Sequence, residues 1–165
     1  MSIAVCPGSF DPVTLGHLDI IRRARALFDE VVIGVAQNSA KSPLLAAQER
    51  RRLVAEAVAD IPGVSVALVP GLLAAFCREI GAVAVVKGLR GGADFDAEHP
   101  MALMNRHLYG VETVFVVGDS RLAHIASSMV KDVARHGGPI ADLVPAGVEP
   151  AVRAALSAQQ HRRQP

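Results

Sequence analysis

A chain of 165 residues, 51% of them apolar, has the size and composition of one domain that buries its own core without disulfide or metal staples. Its 17 basic residues stand against 16 acidic ones, which excludes the large cationic excess expected of a polynucleotide-binding protein. The longest apolar stretch, around Val66 to Phe76, is broken by Pro70-Gly71 and falls short of the roughly 20 residues that span a bilayer, so no membrane partner and no nucleic acid is expected.

In chain order, Ile3-Ala4-Val5-Cys6 reads as a buried strand, and from Leu18 onward Leu18, Ile21, Ala24 and Phe28 recur at helical spacing. Between them lies Pro7-Gly8-Ser9-Phe10-Asp11-Pro12-Val13-Thr14-Leu15-Gly16-His17, a Gly- and Pro-rich turn at a strand-to-helix junction. A helix start presents unpaired N–H groups and the positive end of the macrodipole, so a phosphate is stabilised there. Thr14 is placed to cap this helix, Gly8 and Gly16 to allow close approach or positive φ, and His17 to face the anion from the first turn. Thr-x-Gly-His alone would be an ordinary turn with a surface histidine. The preceding Pro-Gly-Ser-Phe-Asp-Pro makes the functional reading the stronger one.

Valine-rich runs follow at 31–36, 64–69, 82–86 and 113–117, without the polar alternation of strands that have a wet face. Helical patterns fall at 18–28, 46–59, 72–80, about 98–108, 127–136 and 149–158. This alternation predicts an α/β fold: a single-domain, Rossmann-like open parallel sheet with helices on both faces and ligands bound beyond the strand C-termini. One domain is expected over residues 1–158, with the polar residues 159–165 fraying into solvent. No signal peptide is read at the N-terminus, and Cys6 and Cys77 suit buried, reduced thiols of a cytoplasmic protein.

The loops expected on that rim carry Lys41 after the second strand and Lys87-Gly88-Leu89-Arg90 after the fourth, three cations that suit a polyphosphate. Lys41 alone is an even choice between ligand and solvated loop residue, whereas Lys87 continues a buried apolar run and so requires a partner. Ser127 and Ser128 precede a helix and could hold a second anionic group, while Asp94 and Glu98 could contact base or ribose or balance the next helix start. The six histidines form no zinc-protease pair, and no protein-built metal site is expected. P-loop, Gly-x-Gly-x-x-Gly and Gly-x-Ser-x-Gly signatures are absent from the sequence.

Pro7 to Pro12 with Thr14-Leu15-Gly16-His17, Lys41, Lys87 to Arg90, Asp94-Phe95, Met104-Asn105-Arg106-His107 and Ser127-Ser128 with Val130-Lys131 closely resembles the bacterial phosphopantetheine adenylyltransferase family, from Val5 to about Val144. The resemblance implies reversible transfer of AMP from ATP to 4'-phosphopantetheine, giving dephospho-coenzyme A and pyrophosphate with Mg2+, in a cytoplasmic homohexamer subject to feedback by coenzyme A. It implies His17, Lys41 and Arg90 as catalytic residues, with His17 steadying the transition state. Ser9, Lys41, Leu73 and Lys87 would contact phosphopantetheine. Ser9, Phe10, His17, Gly88, Leu89, Arg90, Glu98 and the loop Leu122, Ala123, His124, Ile125, Ala126, Ser127, Ser128 would contact ATP. The chain departs from the family pattern at Ser9 (commonly Thr), Lys87 (commonly Arg), Leu122 (commonly aromatic) and Ala126 (commonly Ser). It also departs at Pro100, which is expected to delay or kink the helix carrying Glu98. Another acceptor for the nucleotide, or a non-catalytic nucleotide-binding module, are the alternatives.

Overall fold

The computed structural model describes residues 1–37 and 42–163. Five strands, β1 (Ile3–Gly8), β2 (Glu30–Ala36), β3 (Val64–Val69), β4 (Ala84–Leu89) and β5 (Glu112–Val117), form a parallel sheet in the order β3-β2-β1-β4-β5. Between and after them run α1 (Leu15–Leu27), α2 (Ala47–Ala57), α3 (Leu73–Glu79), α4 (Gly92–Tyr109), α5 (Ser127–Arg135) and α6 (Val148–Arg163), with a 3-10 turn at Ser120–Leu122.

The side-chain alternation of the strands sorts two apolar layers. Ala4 and Cys6 of β1, Val31, Ile33 and Val35 of β2 and Val86 of β4 pack with Leu18, Ile21, Leu53, Val54, Val130 and Val152 from α1, α2, α5 and α6. On the other face Val5 and Val85 pack with Cys77 and Val111, with Leu73, Phe76 and Tyr109 of α3 and α4 against them. Helices therefore cover both faces, as the valine-rich strands predict.

Two strands outrun their apolar runs. β1 stays paired with β2 through Pro7↔Gly34 and Gly8↔Val35, and β4 with β5 through Lys87↔Phe115, Gly88↔Val116 and Leu89↔Val117. The ladder to a neighbouring strand extends each element beyond its hydrophobic stretch, so Lys87, Gly88 and Leu89 are strand residues and not loop. At Gly88 a Cβ would lie 2.5 Å from Cγ1 of Ile20, which shows how closely β4 passes α1.

The expected break at Pro100 is not there. α4 is continuous from Gly92 to Tyr109 with Pro100 inside it. An interior proline costs a helix about 3 kcal/mol, but α4 is fastened on both sides of it. Asp94 accepts the Arg90 N–H and Glu98 pairs with Lys87 on one side; Asn105 is buried and Arg106 pairs with Glu112 on the other. The C-terminal expectation also changes: α6 continues through residues 159–163, where the sequence suggests fraying.

Candidate active site

The sheet order reverses between β1 and β4, and the chain leaves those two strands in crossovers that open a crevice at their C-terminal ends. A cleft of about 540 Å³ occupies this place. Its walls are the turn after β1, the first turn of α1, the end of β4, one side of α4, and the segment from Gly118 to the start of α5.

Thr14 is the N-cap of α1, and its hydroxyl accepts the His17 N–H at 3.3 Å. In return the Thr14 N–H donates to His17 Nδ1 at 3.0 Å. Since Nδ1 accepts, the proton of the neutral ring belongs on Nε2, which makes Nε2–H a donor. Burial, and then the charges of Arg90 and Lys87, push the His17 pKa down to about 4. At neutral pH the ring is therefore an uncharged donor.

Phe10 packs its ring 4.9 Å from the His17 ring, and it does so with φ at 49°, in the left-handed region. The residue that takes positive φ in this turn is thus Phe10, whereas Gly8 and Gly16 do not. Gly8 serves differently: a Cβ there would lie 3.1 Å from the Phe10 ring. Gly8, Phe10 and His17 form one packed series, which explains their joint presence in the motif.

Lys87 and Arg90 reach the same cleft. Lys87 Nζ lies 3.0 Å from a Glu98 carboxylate oxygen, the partner that its emergence from a buried strand requires. Asp94 accepts from the Arg90 backbone N–H at 2.8 Å and from its guanidinium Nε at 3.2 Å, while Nη1 donates to the Ile125 carbonyl at 3.3 Å. Ser127 donates its hydroxyl to the Pro12 carbonyl at 2.8 Å, leaving the oxygen as an acceptor toward the cleft.

The structure thus gathers Ser9, Phe10, His17, Lys87, Gly88, Leu89, Arg90, Glu98, Leu122, Ile125, Ala126, Ser127 and Ser128 around one cavity. Ala123 caps the 3-10 turn and His124 is exposed, and neither lines it. Leu73 opens α3 and packs in the second apolar layer, away from the cleft. Lys41, with Asn38, Ser39 and Ala40, lies outside the described residues.

Other site features escape a sequence reading. Asp19 accepts the Asp119 N–H at 2.8 Å and pairs with Arg23 at 2.9 Å, joining α1 to the turn after β5 across 100 residues of chain. Buried Arg50 donates to the Ser9 carbonyl behind the motif turn. Its signal was present: Arg50 precedes Leu53 and Val54 by three and four residues and so shares their buried face.

Burial raises the thiol of Cys6 to about 12 and that of Cys77 to about 11, so neither is a nucleophile at neutral pH. Among the described residues no group of three His, Cys, Asp or Glu side chains is arranged for a metal ion. The carboxylates bordering the cleft are engaged instead: Asp94 with Arg90, Glu98 with Lys87, Asp119 with Arg121. No helix among the described residues is long and apolar enough to cross a membrane.

A parallel sheet with a capped Thr-x-Gly-His helix start and two cations at its switch point is the constellation of an α/β nucleotidyltransferase. The cytidylyltransferase-like family model matches residues 5–133. A phosphopantetheine adenylyltransferase from Nocardioides sp. is 52% identical over 158 residues, covering 96% of this chain and 99% of the relative. One from Micrococcus luteus is 53% identical over 149 residues, covering 90% and 95%. The crystal structure of a protein from Vibrio parahaemolyticus, described as a candidate nicotinate-nucleotide adenylyltransferase, superposes with a TM-score of 0.68 at 18% identity over 92% of this chain and 99% of that one, a likeness of fold. The chain belongs to the cytidylyltransferase-like family and, within it, to the phosphopantetheine adenylyltransferases.

Proposed function

We propose that this protein transfers AMP from ATP to 4'-phosphopantetheine, reversibly, yielding dephospho-coenzyme A and pyrophosphate. The observation that carries the reading is the His17 imidazole, fixed as a neutral Nε2–H donor and flanked by Lys87 and Arg90 in the cleft at the sheet's switch point.

The acceptor is a phosphate monoester whose second pKa is near 6, so at neutral pH it is mostly the dianion and needs no protein base. The task left to the protein is to hold two mutually repelling anions in line and to stabilise the charge that grows as the α-phosphorus becomes five-coordinate. His17 Nε2–H donates to a non-bridging oxygen of that phosphorus. Arg90, oriented by Asp94, holds the departing pyrophosphate, and the α5 N-terminus offers the backbone N–H groups of Ser127 and Ser128 and the Ser128 hydroxyl to the triphosphate, the Ser127 hydroxyl being held by the Pro12 carbonyl. Lys87 exchanges Glu98 for the acceptor phosphate, and Glu98, once released, is free to accept from the nucleotide ribose. Lys41 joins Lys87 at the acceptor phosphate on the strength of the family resemblance.

ATP would bind as its magnesium complex. Mg2+ prefers phosphate oxygens and waters to a protein cage, which agrees with cleft carboxylates already engaged by arginine and lysine. When bound, the ion would neutralise part of the triphosphate charge.

We further read the protein as a homohexamer. α4 leaves Met101 at 55%, Met104 at 49% and Leu108 at 43% exposed, which at helical spacing make one apolar face suited to a second copy of the chain. Two free, buried thiols suit the reducing cytoplasm. Coenzyme A contains the pantetheine arm and adenine nucleotide of the product, and would compete at the same cleft as a feedback inhibitor.

The test is product identity: purified protein with ATP, magnesium and 4'-phosphopantetheine should release pyrophosphate and a species with the mass of dephospho-coenzyme A. Pyrophosphate formed only with nicotinamide mononucleotide or a polyol phosphate would reassign the acceptor. ATP binding without turnover on any acceptor would make the protein a binding module.

A further inference from the structure

Behind the motif turn lies a buried charged cluster for which the reaction above has no use. Asp11, 4% exposed, accepts hydrogen bonds from the Leu44 N–H at 2.8 Å, the Leu45 N–H at 2.9 Å and Lys131 Nζ at 2.9 Å. Arg50, 1% exposed, lies within electrostatic reach of that carboxylate and donates to three carbonyls, those of Ser9 at 2.6 Å, Ala36 at 2.9 Å and Leu45 at 3.0 Å. Ser127, four residues before Lys131 on the same face of α5, ties to the Pro12 carbonyl.

Stability alone is a poor reason for such a cluster, because desolvation offsets the attraction of buried charges and apolar side chains would serve as well. Its geometry is more telling. The cluster grips the motif turn at Ser9, Asp11 and Pro12 and fastens it to α5, whose N-terminus forms the opposite wall of the cleft. It thereby sets the gap between Ser9 and the His17 ring on one side and Ser127 and Ser128 on the other.

We propose that Asp11, Arg50 and Lys131 are positioning residues for adenylyl transfer, locking the motif turn against α5 so that His17 and Ser9 meet the reacting phosphates in register. The assignment rests on the reaction proposed above. It adds residues that never touch substrate and act through those that do.

Lys131→Met is the mildest probe, since Asp11 keeps its two backbone donors; Asp11→Asn and the double variant complete a cycle. Activity is compared per folded molecule, well below each Tm. Each single variant should lose at least ~10-fold in kcat, because small misplacements of a reacting group are that costly, while KM for either substrate moves by less than about threefold. The double variant should be no slower than the slower single one, since the pair acts as a unit. A normal kcat with only a lower Tm, or losses that multiply, would overturn the proposal.

A second readout needs no acceptor. Loosening the turn admits water to His17, so in both variants its NMR titration midpoint should rise from about 4 toward the ordinary 6.5. A purely electrostatic effect would raise it in Lys131→Met and lower it in Asp11→Asn, and that result would count against positioning. If wild-type protein makes no dephospho-coenzyme A, the functional reading falls while the titration still decides the role of the cluster.

Discussion

Replacing His17 by alanine should separate two tasks of one ring. Nε2–H is a preorganised donor to the transition state, and removing one such donor costs ~2.7–4 kcal/mol, or roughly 100- to 1,000-fold in kcat. Nδ1 accepts the Thr14 N–H at the head of α1, and losing that cap contact costs about 1 kcal/mol of stability. The ring also makes stability depend on pH. Its pKa is depressed in the folded state to about 4 from the ordinary 6.5, so between those values the unfolded chain binds a proton that the folded one does not. The contribution is fully present above pH 6.5 and is lost as pH falls toward 4, and the gap corresponds to on the order of 3 kcal/mol. Wild type should therefore be more stable than His17→Ala by about 1 kcal/mol at pH 7.5 and less stable by about 2 kcal/mol near pH 4. Pyrophosphate release gives the kinetic arm, and urea titrations at a series of pH values give the other. A kcat within ~10-fold of wild type would remove His17 from the transition state, and a stability difference that ignores pH would contradict its buried, neutral ring.

Pro100→Ala restores an interior hydrogen bond of α4 and should stabilise by up to about 3 kcal/mol, read from the urea midpoint; an unchanged midpoint would contradict it. Gly88→Ala drives a Cβ into Ile20 and should destabilise by about 1–3 kcal/mol, part of which Ile20→Ala in the same chain recovers; strictly additive losses would argue against the contact. Asp94→Asn loosens Arg90 at backbone and guanidinium alike and should weaken ATP binding several-fold by calorimetry, so an unaltered Kd would remove Asp94 from the site. If the α4 face joins copies of the chain as proposed, Met101→Glu with Leu108→Glu should give a smaller species in light scattering than the wild type, and an unchanged mass would argue against that face.

Much of the fold was legible because its strands are buried on both faces and its helices carry a clear period. The misreadings came where a tertiary partner overrode local pattern. Lys87 and Leu89 belong to β4 because β5 supplies their ladder, which no hydrophobic run announces. α4 passes through Pro100 because Lys87, Arg90 and Glu112, which lie just outside the helix ends, fasten it through Glu98, Asp94 and Arg106, and the helical pattern alone does not show these ties. Most of the cleft's residues were legible as a motif set, and Thr14 as a cap. The roles of Asp19 and Asp11 were not, since Asp19 ties α1 to Asp119 and Asp11 joins Leu44, Leu45 and Lys131, partners that only the tertiary fold brings to them. Leu73, half-buried at the start of α3, packs against the second apolar layer.

The proposed reaction is a single in-line displacement in which the acceptor phosphate attacks the α-phosphorus directly while His17, Lys87 and Arg90 hold the charge. The most direct measurement is the stereochemical course of the reaction with ATP made chiral at that phosphorus. Inversion in dephospho-coenzyme A is the predicted result; retention would mean an adenylylated enzyme intermediate and would contradict direct attack by the acceptor.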